Sequence, residues 1–493
     1  MTVTYADVRS VDGELRSLMS FWGRTRELAR LRDELDRVIT DGAGRMVTLR
    51  GRRQVGKSTL LTKFVETAGL PYLFTTAVKN ASPDVHAATA AADAATSRWP
   101  LPNAELALSA TVSSWADFLR GLTLAVDTSP AVIVIDEFPW ATESDPTLEG
   151  TLQAIWDQHL SAKPILLVLV GSDVAIMQRL TEHDRPLFGR AEDWVLNALT
   201  PAQVADALGN RDAMDAIDVY LATGGYPRMV LDAARHPDTR TYIADALQTD
   251  GSRLTVTGIR ILDTEFRDHD SARAVLEAIG SVESGHATFS STVANLAPDR
   301  AVNILSRTLP TLVDAKRVVA IDVPVGAKPT TKLRRYRITD PYLRFWLRYC
   351  QPHLPAIARG RGDIAVAAFD RDFSSWRGRA VEPVIHDAIS QQATTNGRLA
   401  DVVTVGTWWD RTNQHEYDVV GANRRGTVLI VGTVKWRQTR PVTAGDIAAL
   451  TKARAIVPRA AGARLLAVCP AGIQTNAAAD VVIDADGVLD SYR

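Results

Sequence analysis

Residues 51–58 read Gly-Arg-Arg-Gln-Val-Gly-Lys-Ser, which is a complete G-x-x-x-x-G-K-[ST] phosphate-binding loop. Its two glycines let the backbone curl so that successive N–H groups point at the phosphates of a nucleotide. Lys57 supplies a positive charge, and the hydroxyl of Ser58 is suited to ligate Mg²⁺. Residues 45–50 predict a buried strand and residues 57–66 an apolar-periodic helix, whose N-terminal dipole favours an anion. The sequence therefore predicts a nucleoside triphosphate site formed by Gly51, Arg52, Arg53, Gln54, Val55, Gly56, Lys57, Ser58 and Thr59.

The composition is that of an ordinary globular chain. Of 493 residues, 46% are hydrophobic and 23% are charged, values typical of folded domains. This length predicts two to four domains. The formal net charge of −1 gives no global attraction to nucleic acid or membrane, so any basic surface must be local.

Cysteine content and apolar runs indicate the compartment. Cys350 and Cys469 are the two cysteines of the chain, too few for a disulfide framework, which suits a reducing cytoplasm. Residues 1–7 lack the basic and apolar regions of a secretory signal. The apolar runs 131–135 and 164–170 are far shorter than the ~20 residues that span a bilayer. We expect a cytoplasmic protein with no membrane segment.

A second motif ends in two carboxylates. Residues 131–135 are apolar and mostly β-branched, as in a parallel strand buried on both faces, and Asp136 and Glu137 follow them. Such a strand delivers its last residues to the carboxyl edge of the sheet, where ligands bind in α/β folds. Asp136 is then a candidate for holding Mg²⁺ and Glu137 for the general base on the attacking water.

Three more strands complete a predicted five-stranded parallel sheet. Residues 164–170 form a buried strand that ends before Ser172 and Asp173, which could contact the γ-phosphate or cap the next helix. Residues 71–76 and 194–199 supply the other two strands. A strand between the phosphate-loop strand and the carboxylate strand, together with Glu137, favours the hydrolysing branch of P-loop proteins.

Several segments together resemble the archaeal-type P-loop ATPase family, a DEXX-box family of the wider AAA+/STAND group that also occurs in bacteria. The matching segments, in family order, are Phe21-Trp-Gly-Arg-Thr-Arg-Glu-Leu28, Asp136-Glu-Phe-Pro139, Val170-Gly-Ser-Asp173, Pro186-Leu-Phe-Gly-Arg190 and Gly224-Gly-Tyr-Pro-Arg228. The resemblance covers roughly residues 20–235 and implies that the nucleotide is ATP.

The resemblance also implies residue roles that spacing alone does not assign. It places Trp22, Gly23 and Arg24 by the adenine and ribose. Pro227 would contact the nucleotide from a helical lid, and the Gly224-Gly225 pair before it could equally be a helix cap. Arg190 would be an arginine finger or a γ-phosphate sensor, with a surface salt bridge as the alternative.

The middle of the chain predicts helices and then a winged helix. Residues 77–118 are Ala-rich and predict a helical insertion, and residues 236–265 predict linking helices. Helices at 274–279, 290–296 and 301–312 followed by strands at 317–321 and 333–338 give the order of a winged helix. Arg300, Asn303 and Arg307 of the third helix suit contacts with bases and phosphates, but such domains also serve as protein-binding or intramolecular lids.

Residues 332–379 hold eleven Lys and Arg against four Asp, with aromatic residues between them. A charge run is usually a solvated face, but this one could also track the phosphates of DNA.

Residues 336–346 resemble the segment that leads, in the same family, into a C-terminal domain of uncharacterised function related to restriction endonucleases. Such folds need a helix Glu, a strand Asp and an E-x-K strand, so that carboxylates hold Mg²⁺ and the Lys orients water. Glu382, Asp418 and Lys435 match this pattern, but Thr433 replaces the acid of E-x-K. Since a hydroxyl cannot supply a carboxylate's charge, we expect a degenerate nuclease that still grips DNA.

The predicted fold is α/β, with a P-loop core (residues 1–200), a helical lid and linker (201–265), a winged helix (266–345) and an endonuclease-like α/β domain (346–493). The predicted function is an ATP-hydrolysing, Mg²⁺-dependent molecular switch coupled to double-stranded DNA or to a protein partner. One alternative is a DNA-binding regulator or defence component in which ATP gates assembly with little turnover. A second is an ATP-dependent nuclease. The sequence leaves a homo-oligomer open.

Overall fold

The structure is a computed structural model that describes residues 23–493, apart from residues 109–111, 267–269, 283–286, 297–300 and 329. The chain divides into two compact units, Met1–Ala198 and Leu199–Arg493. The first contains a parallel sheet, and the second contains a β-hairpin and a mixed sheet among helices. Within the described part of the chain, none of the helices has the length and apolar character needed to span a membrane.

A five-stranded parallel sheet in the order β2-β3-β4-β1-β5 forms the centre of the first unit. Its strands are β1 (Arg45–Arg50), β2 (Tyr72–Thr76), β3 (Ala131–Asp136), β4 (Ile165–Gly171) and β5 (Ala191–Val195). β3 and β4 are buried along their whole length, as in central strands covered on both faces. β4 lies between β1 and β3, as predicted. The predicted α/β fold class with a P-loop parallel sheet is confirmed.

The edge strand β5 differs from the prediction. The sequence places it at residues 194–199, whereas it spans Ala191–Val195 and pairs in parallel with β1. Its polar residues explain the error, because Glu192 and Asp193 form ion pairs with the arginines at the two ends of β1. An edge strand that reaches solvent lacks the apolar run by which a buried strand is found.

Helices alternate with the strands of the first unit, as in other α/β folds. They are α1 (Thr25–Asp41), α2 (Lys57–Ala68), α3 (Pro83–Thr96), α4 (Ala104–Leu108), α5 (Trp115–Ala125), α6 (Phe138–Ser144), α7 (Leu148–Gln158), a 3₁₀ turn (Leu160–Ala162) and α8 (Val174–Arg179). The predicted helical insertion at residues 77–118 is confirmed by α3, α4 and the start of α5. Its alanines and Trp115 pack into the same core as the apolar residues of β3 and β4.

The second unit begins with five helices. They are α9 (Pro201–Leu208), α10 (Ala213–Thr223), α11 (Pro227–Ala233), α12 (Thr239–Gln248) and α13 (Arg253–Glu265). Gly224 caps α10 with a φ of 62°, and Gly225 follows with a φ of 71°. A Cβ on Gly225 would lie 2.1 Å from the carbonyl oxygen of Leu199. The Gly-Gly pair is therefore required by the backbone, which agrees with the helix-cap alternative.

Three helices and a β-hairpin follow in the order predicted for a winged helix. They are α14 (Asp270–Gly280), α15 (Phe289–Ala294), α16 (Ala301–Pro310), a π-helical turn (Thr311–Ala315), β6 (Val319–Asp322) and β7 (Arg335–Ile338). β6 and β7 pair antiparallel. Of the residues predicted to contact DNA, Asn303 and Arg307 are exposed on α16, and Arg300 lies outside the described residues. The winged-helix assignment stays a prediction.

Most aromatic residues of segment 332–379 are core residues, and the phosphate track along this segment stays a prediction. Tyr342, Phe345, Trp346 and Tyr349 are at most 1% exposed. Many of the segment's arginines are paired with acids, among them Arg348 with Asp372, Arg377 with Asp218 and Arg379 with Glu416. These rings and paired guanidinium groups are taken up by the core and its acids, while Lys332, Arg359 and Arg371 of the same segment are exposed.

A mixed five-stranded sheet in the order β12-β11-β10-β9-β8 forms the C-terminal part of the second unit. Its strands are β8 (Thr404–Trp409), β9 (Glu416–Ala422), β10 (Val428–Val434), β11 (Arg464–Val468) and β12 (Val481–Ile483). The helical segments here and before it are α17 (Pro341–Phe345), a π-helical turn (Trp346–Cys350), a 3₁₀ turn (Gln351–His353), α18 (Leu354–Ile357), α19 (Asp363–Ala380), α20 (Glu382–Gln392), α21 (Ala444–Thr451), α22 (Ala453–Ile456) and α23 (Ala485–Asp490).

The hairpin is attached to the edge strand β8 of this sheet. The guanidinium carbon of Arg335 lies 4.0 Å from the ring centroid of Trp409, and the same group donates to Glu416 at 2.9 Å. In the loop between β6 and β7, the amide of Val325 donates to the carbonyl oxygen of Thr407 at 3.2 Å. The hairpin loop thus covers part of an edge that would otherwise present unpaired backbone groups.

Candidate nucleotide-binding site

The phosphate loop joins β1 to α2 in the curled form that the motif predicts. Gln54 and Gly56 have positive φ angles of 67° and 95°. Gly51 is needed for another reason, because a Cβ there would lie 2.3 Å from the carbonyl oxygen of Leu196. Of the other predicted residues, Val55 is buried and packs inside the loop, and Thr59 is exposed in the first turn of α2.

Lys57 is a buried cation at the start of α2, with 6% of its surface exposed. Its Nζ donates to the carbonyl oxygens of Gly51 at 2.7 Å and Arg52 at 3.1 Å. Burial lowers the pKa of Lys57, while the carboxylates of Glu137 and Asp136 act in the opposite direction. The ammonium is thereby held inside the loop and close to both carboxylates, where its field on a phosphate is stronger than in water.

Asp136 ends β3 beside the first turn of α2. Ser58 Oγ donates to Asp136 Oδ2 at 2.5 Å, and Oδ1 accepts the backbone N–H of Glu137 at 2.8 Å. A hydroxyl and a carboxylate are the oxygen ligands that Mg²⁺ prefers in phosphate sites. The residues predicted to hold the metal are therefore adjacent, and their chemistry fits it.

Glu137 follows directly and contacts the end of the neighbouring strand. The hydroxyl of Ser172, just after β4, donates to Glu137 Oε2 at 3.0 Å. Glu137 has a φ of 52°, which is uncommon for a residue with a side chain and typical of functional positions. Of the two residues that could have capped the helix after β4, Asp173 does so, since its carboxylate accepts the amide of Ile176 at 2.9 Å.

Arg24, just before α1, fastens the phosphate loop to the segment after β5. It is 4% exposed, and its guanidinium donates to the carbonyl oxygens of Val55 at 2.9 Å and Asn197 at 2.7 Å. Gly23 precedes it with a φ of 71°. The predicted contact of Gly23 and Arg24 with adenine and ribose stays a prediction, and Trp22 lies outside the described residues.

Trp140, in the first turn of α6, is a residue that the sequence analysis missed. The guanidinium carbon of Arg53 lies 5.9 Å from its ring centroid, and the Nζ of Lys79 lies 4.9 Å from it. Arg53 belongs to the phosphate loop, so an aromatic ring flanked by two cations borders the site. Its signal was its position only three residues after Glu137, where the start of a helix keeps it at the same edge of the sheet.

Arg190 is held in a two-way ion pair with an acid of α7. Its Nε and Nη2 donate to the carboxylate of Asp157 at 2.8 Å and 2.7 Å. The salt-bridge alternative is therefore present, and the role of Arg190 as an arginine finger or sensor stays a prediction. Pro227 begins α11 in the second unit, and its contact with the nucleotide stays a prediction as well.

The nuclease-like residues of the second unit have a different environment. The hydroxyl of Thr433 at 3.1 Å and the amide of Val434 at 2.8 Å both donate to Asp418 Oδ2. Burial raises the pKa of Glu382 to about 8, and the charge of Asp418 adds to this shift. Lys435 directly follows β10. Among the residues that the structure describes, no group of three or more His, Cys, Asp or Glu side chains is arranged to hold a metal ion.

Comparison with known proteins identifies two regions of the chain. Residues 20–168 match the AAA ATPase domain family, and residues 346–447 match a family described as archaeal and bacterial proteins of unknown function. An uncharacterized protein of Methanocaldococcus jannaschii is 22% identical over 422 residues, which is 85% of this chain and 88% of that protein.

Two solved structures are similar over most of their own length. The Walker-type ATPase of Pyrococcus abyssi is 15% identical with a TM-score of 0.47, covering 66% of this chain and 96% of that chain. The ORC2 protein of Aeropyrum pernix, in its ADPNP–ADP complexes, is 17% identical with a TM-score of 0.38, covering 70% of this chain and 94% of that chain. The chain thus combines an AAA ATPase domain with a C-terminal domain found in archaeal and bacterial proteins of unknown function, as the resemblance to archaeal-type P-loop ATPases predicts.

Proposed function

We propose that this chain hydrolyses ATP at the carboxyl edge of the parallel sheet in its first unit. The proposal rests on one observation: two neighbouring carboxylates each accept a hydrogen bond from a different hydroxyl group. Asp136 contacts the Ser58 hydroxyl of the phosphate loop, and Glu137 contacts the Ser172 hydroxyl of the next strand. One carboxylate is therefore suited to a metal and the other to a water molecule.

The residues divide the work of phosphoryl transfer between them. The amides of residues 51–58 and the ammonium of Lys57 bind the phosphates of ATP. Mg²⁺ held by Ser58 and Asp136 supplies positive charge to the phosphate oxygens when it is bound. Glu137 accepts the proton of the attacking water at its carboxylate, and the Ser172 hydroxyl orients that carboxylate. Arg190 would stabilise the negative charge of the transferred phosphoryl group only if its guanidinium left Asp157 and bound a phosphate oxygen instead.

The test is steady-state phosphate release from ATP by the full chain. Glu137→Gln keeps the shape of the side chain but cannot accept the proton, so turnover should fall at least about 100-fold. Glu143→Gln is the matched control, because Glu143 is exposed on the same helix α6 and should leave turnover unchanged. Wild-type turnover retained by Glu137→Gln would exclude Glu137 as the base. No turnover by the wild type would favour the alternative in which ATP only gates assembly.

The partner that we propose for this switch is double-stranded DNA, bound through the winged helix. Asn303 and Arg307 are exposed on α16, and the loop 323–334 carries three cationic residues and no acid. This combination suits a helix in a groove and a cationic loop on phosphates.

The free cysteines, Cys350 and Cys469, are both buried, which suits a reducing cytoplasm.

Fluorescence anisotropy with labelled duplex at fixed salt tests this partner. Arg307→Gln combined with Lys332→Gln should weaken binding about tenfold and reduce its salt dependence. Arg359→Gln, which changes an exposed arginine outside the winged helix, should not. ATP turnover that duplex does not change, together with no binding, would leave a protein partner or a second copy of the chain as the ligand.

A further inference from the structure

Two cations share the ring of Trp140 at the sheet edge that carries the phosphate loop. The guanidinium carbon of Arg53 lies 5.9 Å from the ring centroid, and the Nζ of Lys79 lies 4.9 Å from it. Arg53 belongs to the phosphate loop, and Lys79 follows the last residue of β2 by three positions. Within the described part of the chain, neither cation forms an ion pair with an acid. The ring therefore takes the place of a carboxylate as the partner of both.

Trp140 links these cations to the proposed catalytic carboxylate. Its amide, in the first turn of α6, donates to the carbonyl oxygen of Glu137 at 2.9 Å. Burial lowers the pKa of Lys57 most, and the charge of Arg53 adds to this lowering, so Arg53 lies within electrostatic reach of that ammonium. The arginine thus lies near the lysine that binds phosphate, on a ring attached to the backbone of the proposed base.

Arg53 is held more loosely than Arg190. The guanidinium of Arg190 donates twice to the carboxylate of Asp157, at 2.8 Å and 2.7 Å, and such two-way charged pairs are among the strongest polar contacts. Arg53 is exposed, and its 5.9 Å contact is close to the ~6 Å limit of a cation–π interaction. The charge of Lys79 on the same ring repels it as well. Of the two arginines, Arg53 is therefore the one that an anion can recruit more easily.

We propose that Arg53, rather than Arg190, binds the γ-phosphate of ATP and leaves the ring of Trp140 when it does so. A guanidinium fork matches two oxygens of a phosphate. Its charge then stabilises the transferred phosphoryl group from within the same chain, and this catalytic role rests on the proposed hydrolysis. With ADP no γ-phosphate oxygens are present, and Arg53 stays on the ring. Arg53 thereby distinguishes ATP from ADP at the phosphate loop.

Affinities for ATP and ADP test the contact with the γ-phosphate. Isothermal titration would use the full chain with Mg²⁺ and with Glu137→Gln as the parent, so that ATP survives the measurement. Arg53→Gln should weaken ATP binding about tenfold or more and ADP binding less than about twofold. Arg53→Lys should give an intermediate loss for ATP, since it keeps the charge and loses the fork. Equal losses for ATP and ADP, or unchanged ATP affinity in Arg53→Gln, would overturn the proposal.

Arg98 is the matched control, because it also lies on a tryptophan ring but at the opposite edge of the sheet. Its guanidinium carbon is 4.9 Å from the ring centroid of Trp99, whose carbonyl oxygen accepts the amide of Tyr72 at the start of β2. Arg98→Gln should change neither affinity more than about twofold. Arg190→Gln is the rival variant, and a larger loss of ATP affinity there than in Arg53→Gln would overturn the choice of Arg53.

Steady-state turnover separates the failure of this inference from the failure of the proposed hydrolysis. In the wild-type background, Arg53→Gln should lower kcat about 100-fold, beyond any rise in KM for ATP. Wild-type hydrolysis with a normal kcat in Arg53→Gln would overturn the catalytic role of Arg53 and leave the proposed function standing. No hydrolysis by the wild type would overturn the proposed function and with it that catalytic role, while a selective loss of ATP affinity in Arg53→Gln would still support the γ-phosphate contact.

Discussion

Each unit places a carboxylate next to a hydroxyl group, but the two pairs differ in what surrounds them. In the first unit, Ser58 donates to Asp136 next to the buried ammonium of Lys57. In the second unit, Thr433 donates to Asp418, and the amide of Val434 donates to the same oxygen. The first carboxylate is directed at a phosphate-binding loop, whereas the second is bound by its neighbouring strand.

The comparison suggests how acidic residues at a similar spacing can differ in their fitness for a metal. Ser172, at the end of a second strand, donates to Glu137, and the ammonium of Lys57 lies close to both Asp136 and Glu137. The acid near Asp418 is Glu382, whose raised pKa favours the neutral form. Cations need charged oxygen ligands that converge, so we expect Mg²⁺ at the first place and not at the second.

The largest effect should come from the loop backbone on which the first site depends. Gly51→Ala places a Cβ 2.3 Å from the carbonyl oxygen of Leu196, so it should abolish ATP binding and destabilise the chain by about 1–3 kcal/mol. Gly150→Ala in α7 meets nothing within 4 Å and should stabilise by up to ~1 kcal/mol. Urea unfolding and ATP titration measure both. Normal ATP affinity in Gly51→Ala would show that the loop adapts.

The two hydroxyl groups provide the next test. Ser58→Ala removes a predicted Mg²⁺ ligand and should lower Mg²⁺-dependent ATP turnover at least about tenfold. Thr433→Ala removes one of the two donors to Asp418 Oδ2, and the amide of Val434 remains as the other. ATP turnover should therefore change less than about twofold. Turnover at several Mg²⁺ concentrations measures the effect. Equal losses in the two variants would remove the distinction between the two sites.

A further effect is expected in the pH dependence of stability. The pKa of Glu382 is raised to about 8 by burial, so the folded state binds its proton more tightly than the unfolded state does. The stability contributed by this proton is fully present below pH ~4.5 and is lost as the pH rises through ~8. Glu382→Gln, which mimics the neutral form, should be more stable than wild type by up to about 4 kcal/mol at pH 8.5 and equally stable near pH 4.5.

Denaturant unfolding at both pH values checks this, with Asp250→Asn as the control at an exposed position. The same stability difference at both pH values would contradict the raised pKa of Glu382.

The second site is expected to cleave no DNA, so a substitution there should not change nicking. Wild type and Asp418→Asn should both leave supercoiled plasmid intact with Mg²⁺ or Mn²⁺, because Thr433 and Val434 donate to Asp418 and burial favours the neutral form of the nearby Glu382. Agarose electrophoresis after long incubation measures nicking. Metal-dependent nicking that Asp418→Asn abolishes would make the second site a nuclease.

Sequence reasoning was most successful where the pattern is local. The phosphate loop, Asp136 and Glu137 were predicted from short motifs, because the chemistry requires those residues next to one another. β3 and β4 were predicted because central parallel strands need unbroken apolar runs. The pairing of Ser58 with Asp136 follows from the way a parallel sheet brings strand ends together.

The rest depends on contacts between distant parts of the chain. The ion pair of Arg190 with Asp157 and the double contact at Asp418 could not be read from spacing. The rings of Tyr342 and Trp346 resembled a binding surface in sequence, yet both are fully buried. Apolar and aromatic side chains carry the same letters in a core and at an interface, so only tertiary packing distinguishes the two.

The most direct test of ATP hydrolysis by this site is the identity of the nucleotide that stays bound after a single round. Wild type and Glu137→Gln would each be incubated with Mg²⁺ and ATP, separated from free nucleotide and denatured, and the released nucleotide would be resolved by chromatography. The account predicts ADP from the wild type and ATP from Glu137→Gln. ADP from Glu137→Gln, in the same amount as from the wild type, would contradict it.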